Sequence, residues 1–194
     1  MKQRCVWANS NPLEIEYHDH EWGVPVYDDR LLFEMLTLES AQSGLKWVTV
    51  LQKRQSYLKA FDNFEPSKVS QFSDKKIEAL NNNAEIVRNK LKIKATIENA
   101  KYFLIVQNEF ENFSSYLWSF VNNEPINNAY RLASEIPTSS IEAEAMSEDM
   151  KKRGFKFVGP TTCYAYMQAV GLINDHLLSC YRHTEVQNFQ SCAS

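Results

Sequence analysis

The chain has 194 residues, of which 44% are hydrophobic and 12% aromatic. That is enough apolar material for one compact domain or two small lobes, and it excludes bulk disorder. The formal net charge of −3 argues against non-specific coating of DNA, so a DNA-binding reading needs positive charge confined to a patch.

No run approaches ~18 consecutive apolar residues, and residues 1–5 lead straight into polar and aromatic residues with no apolar signal core. A cytoplasmic protein is expected. Four cysteines in such a chain suit a metal or buried thiols better than a disulfide framework.

In chain order, residues 1–25 carry Trp7, Tyr17, His18, His20 and Trp22 with little periodicity. Asp28 and Asp29 can then cap a helix whose apolar residues Leu31, Leu32, Met35, Leu36 and Leu38 recur at helical spacing, and Gly44 suits its end. A second helix starts near Trp47 with Val50, Leu51, Leu58 and Phe61 on one side. Pro66 and Asp74 open two short helices. Ile93, Ile97, Ala100 and Leu104 mark one long amphipathic helix. Further helices are expected around Tyr116–Val121 and over Ile141–Arg153, and strand-like alternation is nearly absent, so the fold class is all-α. The segment after Gly171 is irregular again and carries His176, Cys180 and His183. The expected organisation is a helical domain over 26–171 and a lobe built from residues 1–25 plus 172–194.

The stretch from Met146 to Gly171 reads as helix, tight hairpin, helix. Gly154 ends the first helix, Gly159 permits a tight turn, and Pro160 fits the first position of the next helix. Lys151, Lys152, Arg153 and Lys156 surround that turn, while Glu142, Glu144, Glu148 and Asp149 lie earlier. Two accounts of this polarity stay open: a phosphate-binding hairpin at a helix N-terminus, or bases and acids arranged along a helix dipole.

Glu39 lies three, four and seven residues after Leu36, Met35 and Leu32, on the buried stripe of its helix. A carboxylate there must be paired, protonated or aimed into a cavity, unless it reaches solvent at the helix edge. With Trp7, Tyr17, Trp22 and Trp47 nearby it makes a pocket for a flat, electron-poor ring with N–H donors. Cys5 and His18 come from one end of the chain, and His176 and Cys180 from the other, four apart on one face of a turn. Either the four bind one zinc ion as a closed structural site, or they are unrelated residues. Cys163 shares a helical stripe with Tyr166, Met167 and Val170 and reads as packing, and Cys192 reads as a free thiol in a polar tail.

The segments YHDHEWGVP (17–25), LFEMLTLESAQSGLKW (32–47), LWSFVN (117–122), RGFKFVGPT (153–161) and NDHLLSC (174–180) together resemble bacterial 3-methyladenine DNA glycosylase I, of the helix-hairpin-helix glycosylase superfamily, over Cys5 to Cys180. The resemblance implies a helical bundle with that hairpin and one structural Zn²⁺ per chain on Cys5, His18, His176 and Cys180. It implies hydrolysis of the N-glycosidic bond of 3-methyladenine in alkylated DNA, with 3-methylguanine left open as a second substrate. No lysine is visibly placed for Schiff-base chemistry, so no strand cleavage is expected. Glu39 would be the catalytic residue, bonding the amino edge of the extruded base. Trp47 would stack on that base, Tyr17 would close the pocket, and Trp7 and Trp22 would line it.

On the DNA side, Leu45 after Gly44 would wedge into the duplex, and Gly154, Phe155, Lys156 and Gly159 would hold the phosphate backbone. The implied partners are double-stranded alkylated DNA and free 3-methyladenine as product, with a monomer that needs no membrane or protein partner. Glu14 and Lys46 depart from the family pattern, where a tyrosine and a small residue are usual. Asp175 is expected to be structural. Two rivals remain at this stage: a zinc hydrolase, which needs an open metal position, and a DNA-binding module that has lost its chemistry.

Overall fold

A computed structural model describes residues 2–9 and 11–188; Cys192 lies outside them. The helices are α1 (Pro12–His20), α2 (Asp29–Gln42), α3 (Trp47–Ala60), α4 (Pro66–Val69), α5 (Asp74–Asn82), α6 (Lys90–Phe110), α7 (Phe113–Ser119), α8 (Ile141–Arg153), α9 (Pro160–Ala169) and α10 (Arg182–Asn188). Two two-residue strands, β1 (Ile126–Asn127) and β2 (Ile173–Asn174), pair in parallel and fasten the loop after α7 to the chain beyond α9. No helix among the described residues is long and apolar enough to cross a membrane.

α2 is the central element, packed against α3, α6, α7 and α9. The sequence predicts an amphipathic stripe here, yet every residue from Leu32 to Ala41 is buried. Neighbours on all sides leave no solvated face, so the polar residues of α2 are buried with the apolar ones. Asp28 caps α2 by accepting from Leu31 N (2.8 Å). Asp29 instead accepts from Gln107 Nε2, Phe113 N and Ser114 N, so one carboxylate satisfies the first N–H groups of α7. At the other end of α2, Lys92 on α6 donates to Ala41 O (2.8 Å) and Ser43 O (2.6 Å), placing a cation on the last carbonyls.

α6 is the long helix expected from its periodicity, but its buried face runs through Ile93, Ile97, Ala100, Phe103 and Val106. Leu104 is only half-buried, because the stripe advances at 3.6 residues per turn and selects Phe103 over its neighbour.

The helix boundaries of the hairpin fall where expected, with Gly154 left-handed (φ 106°) after α8 and Pro160 opening α9. The tight turn does not depend on Gly159, whose φ is −66°. The left-handed residue inside it is Phe157 (φ 57°). Asn99 on α6 pins that conformation by bonding both backbone groups of Lys156, while Ser147 and Ser40 donate to the carbonyls of Val158 and Phe157.

Candidate active site

Two carboxylates five residues apart on α2 are buried, and they have opposite fates. Glu34 meets Arg54 at 2.6 Å, and Arg54 also bonds Glu21 at 2.7 Å, so its charge is neutralised. Glu39 is 6% exposed, and no described residue donates a hydrogen bond to it. Burial pushes its carboxyl up to about 8, as desolvation of an unpaired acid requires.

Glu39 opens into a cavity of about 430 Å³ walled by Trp7, Tyr17, Trp22 and Trp47. α1 and the turn after it supply Tyr17 and Trp22, and the first residue of α3 is Trp47. The Tyr17 and Trp47 rings lie 5.1 Å apart at 54°, and Trp7 meets Trp22 edge-on at 5.1 Å. The Tyr17 hydroxyl and the Trp47 indole N–H are buried without a protein partner. Each such group costs about 1–3 kcal/mol unless something bonds it, and a site that tolerates two is shaped for a ligand. Burial, and then the nearby Glu39 and Glu21, hold the Tyr17 phenol protonated. The described residues lining the cavity include no cation, but they include a second carboxylate, Glu14. The chamber is aromatic, acidic and short of hydrogen-bond partners, which suits one flat, positively charged ring.

The structure also brings in residues that the sequence reading did not single out: Gln42, Ala133, Ile136, Ala165 and Gln168. Gln42 stands one turn after Glu39, a spacing that could have found it. Ala133 and Ile136 come from a non-periodic segment whose docking nothing local announces.

Behind Trp22 lie Cys5, His18, His176 and Cys180, all buried, with their donor atoms within 4.8 Å of one another. The tautomers suit ligation. His18 Nδ1 bonds Asp19 (2.9 Å), freeing Nε2 toward Cys180, and His176 Nε2 bonds Trp22 O (3.0 Å), freeing Nδ1 toward both sulfurs. Asp19 is gripped in turn by Arg4 at 2.7–3.0 Å. Desolvation pushes the Asp19 carboxyl up, but its bonds to Arg4, His18 and Tyr181 outweigh that and hold it below the usual range. Burial lowers His176 toward the neutral form. The Cys180 thiol is drawn down by hydrogen bonding from Cys5 against its own desolvation, with help from His176 and His18. Two thiols and two oriented imidazoles, buried together, form a possible metal site.

At the hairpin, Lys151, Lys152 and Lys156 are exposed. Arg153 is not available in the same way, because it pairs with Glu109 (2.7 Å) and Asp149 (2.5 Å) over the rings of Phe110 and Tyr116. The Phe155 side chain turns inward, which leaves only its backbone for a strand to meet. It is 2% exposed and packs on Tyr102 and Phe113, because an aromatic side chain beside α6 gains more from the core than from water. Gly154 has an internal role too, since a Cβ there would lie 2.4 Å from the Tyr102 ring. Gly159 faces open space. Gly44 (φ 81°) and the exposed Leu45 and Lys46 form the tip of the α2–α3 turn, which separates Glu39 from Trp47.

Fold and cavity define a helical protein that takes one flat ring into an acidic aromatic chamber. The sequence profile of the methyladenine glycosylase family matches residues 7–183, and the chain belongs to that family. It is 48% identical over 178 residues to DNA-3-methyladenine glycosylase 1 of Escherichia coli, covering 92% of this chain and 95% of that one. It is 44% identical over 180 residues to DNA-3-methyladenine glycosylase of Haemophilus influenzae, covering 93% and 97%. Among solved structures, 3-methyladenine DNA glycosylase I of Staphylococcus aureus, described for its recognition of 3-methyladenine, superimposes with a TM-score of 0.89 at 39% identity, covering 92% and 95%.

Proposed function

We propose that the chain is a DNA glycosylase that hydrolyses the N-glycosidic bond of 3-methyladenine in alkylated duplex DNA, leaving an abasic site and cutting no strand. The observation that carries the reading is Glu39, a buried carboxyl without a protein partner inside an aromatic chamber.

The damaged base must leave the stack to reach such a chamber, at a cost of a few kcal/mol that is smallest for a damaged base. Attached to deoxyribose, 3-methyladenine carries a positive charge and is already a good leaving group. Trp47 and Tyr17 hold the cationic ring by stacking and cation–π attraction. Glu39, protonated in the empty chamber, gives up its proton beside the cation, supplies the opposite charge and accepts from the amino edge. Trp7 and Trp22 complete the wall. Water adds at C1′ of the sugar, the C1′–N bond breaks, and its electron pair leaves with the base as neutral 3-methyladenine, one proton passing to solvent. Neutral adenine gains nothing from the charge and is rejected.

On the DNA side, Leu45 fills the gap in the duplex beside Gly44, and Lys46 lies next to the strand. The helix-hairpin-helix of α8 and α9 grips phosphates through Lys156 and the backbone at Gly159, with Gly154 and Phe155 supporting the turn from within. Cys5, His18, His176 and Cys180 hold one structural zinc; four protein donors leave the ion to tie residues 1–25 and 172–194 into a lobe on the helical domain 26–171. The protein acts as a cytoplasmic monomer.

The test is release of free base from methylated duplex DNA, resolved by chromatography. The unmodified chain should free 3-methyladenine but not 7-methylguanine, and Glu39→Gln should lose at least about tenfold in rate, the worth of one charge-assisted hydrogen bond, while remaining folded. No base release by the unmodified chain would overturn the reading in favour of a binding module.

A further inference from the structure

Asp175 is 1% exposed, and neutral donors surround it. Asn128 Nδ2 and Gln168 Nε2 reach it at 2.7 Å each, and the Tyr164 hydroxyl bonds the same oxygen as Gln168. A carboxylate only accepts, so it dictates which end of the Gln168 amide it meets: the NH₂ group. The carbonyl end, Oε1, is left over. Gln168 also lines the cavity, and no described residue donates to that oxygen. The backbone around it is fixed as well, because Gln168 O accepts from Gly23 N (3.1 Å) and Gly171 N (3.3 Å).

We propose that Gln168 presents Oε1 to the bound base as a second acceptor beside Glu39, and that Asp175 is the positioning residue that keeps the amide that way round. The proposal rests on the base-pocket reading above and specifies which bases the pocket selects. An exocyclic amine has two N–H groups and can satisfy both acceptors. A 6-oxo group in the same place sets its oxygen against Gln168 Oε1 with no proton between them. The protonated Glu39 carboxyl can still donate to it, so the amide is the acceptor that discriminates. Sites built to bond a substrate N–H reject analogues lacking it far more strongly than apolar pockets reject a changed shape. The acidic chamber selects for charge, and Gln168 then selects amino-purines over oxo-purines.

The experiment measures affinity of the full chain for free 3-methyladenine and for its 6-oxo counterpart, 3-methylhypoxanthine, with thermal unfolding of each variant alongside. The unmodified chain should prefer the amino base. Gln168→Met keeps the length and removes the acceptor, and should reduce that preference about tenfold, the worth of one hydrogen bond. Asp175→Asn carries both a donor and an acceptor, no longer fixes the amide, and should reduce the preference by a similar factor. The double variant should lose no more than Gln168→Met alone, because Asp175 acts through Gln168.

A merely structural Asp175 would shift the unfolding temperature but leave the preference intact. Unchanged preference in Gln168→Met overturns the proposal, and that variant decides the matter even if Asp175→Asn fails to fold. Equal binding of both bases by the unmodified chain overturns this inference alone. Binding of neither base overturns the pocket reading together with it.

Discussion

Glu34 and Glu39 share one helix and nearly the same burial, and Arg54 makes the difference between them. The Glu39 carboxyl rises from its ordinary 4.5 to about 8 through desolvation. Between those values the folded chain retains a proton that the unfolded chain has lost. Stability therefore falls as pH rises from about 5 to about 8 and levels off above. Glu39→Gln removes this titration, so its melting temperature should gain on that of the unmodified chain as pH rises through this window. Parallel curves from pH 5 to pH 9 would contradict the assignment. Residue spacing made the burial of Glu39 legible, because it shares a stripe with Leu32, Met35 and Leu36. It could not show that Glu34 and Ser40 are buried too, since a helix enclosed on all sides has no polar face to announce.

At the scale of an element, the hairpin separates two glycines that look alike in sequence. Gly154 is left-handed and a side chain there would strike Tyr102, whereas Gly159 has an ordinary φ and open space outside it. Gly154→Ala should lose stability by about 1–3 kcal/mol from backbone strain and the clash. Gly159→Ala should unfold within about 0.5 kcal/mol of the unmodified chain, yet bind abasic duplex more weakly if the strand approaches there. Denaturant titration and DNA affinity, measured on both variants, check the pair. The helix ends at Arg153 and Pro160 were readable because glycine and proline punctuate helices by known rules. The inward turn of Phe155 and the pairing of Arg153 with Glu109 were not, since both depend on α6, more than forty residues earlier in the chain.

For the whole molecule, the four-residue cluster joins segments up to 175 positions apart, from Cys5 to Cys180. Closing so long a loop restricts the unfolded chain, and the stabilisation grows slowly with loop length. If the four residues hold zinc as proposed, a strong chelator should lower the unfolding temperature, while base release by protein that is still folded continues. Loss of release with an unchanged melting curve would favour a catalytic metal. The residue types, the His176–Cys180 spacing and, from the shared irregularity of the two ends and the family resemblance, their meeting were legible. The distances were not, because residue order fixes none across the intervening helices. Arg4 and Asp19, which hold His18 in place, carried no sequence signal either.

The same closure sets how the chain would respond to a pull. Tension applied at residues 2 and 188 passes through the Gln3–Tyr181 hydrogen bond and the Cys5–Cys180 contact. Helices α1 to α9, with the chamber among them, lie inside the loop that this clasp shuts and bear no load until it opens. Mechanically the protein is a ring, closed by contacts between residues near its two ends, and Glu39 sits inside it.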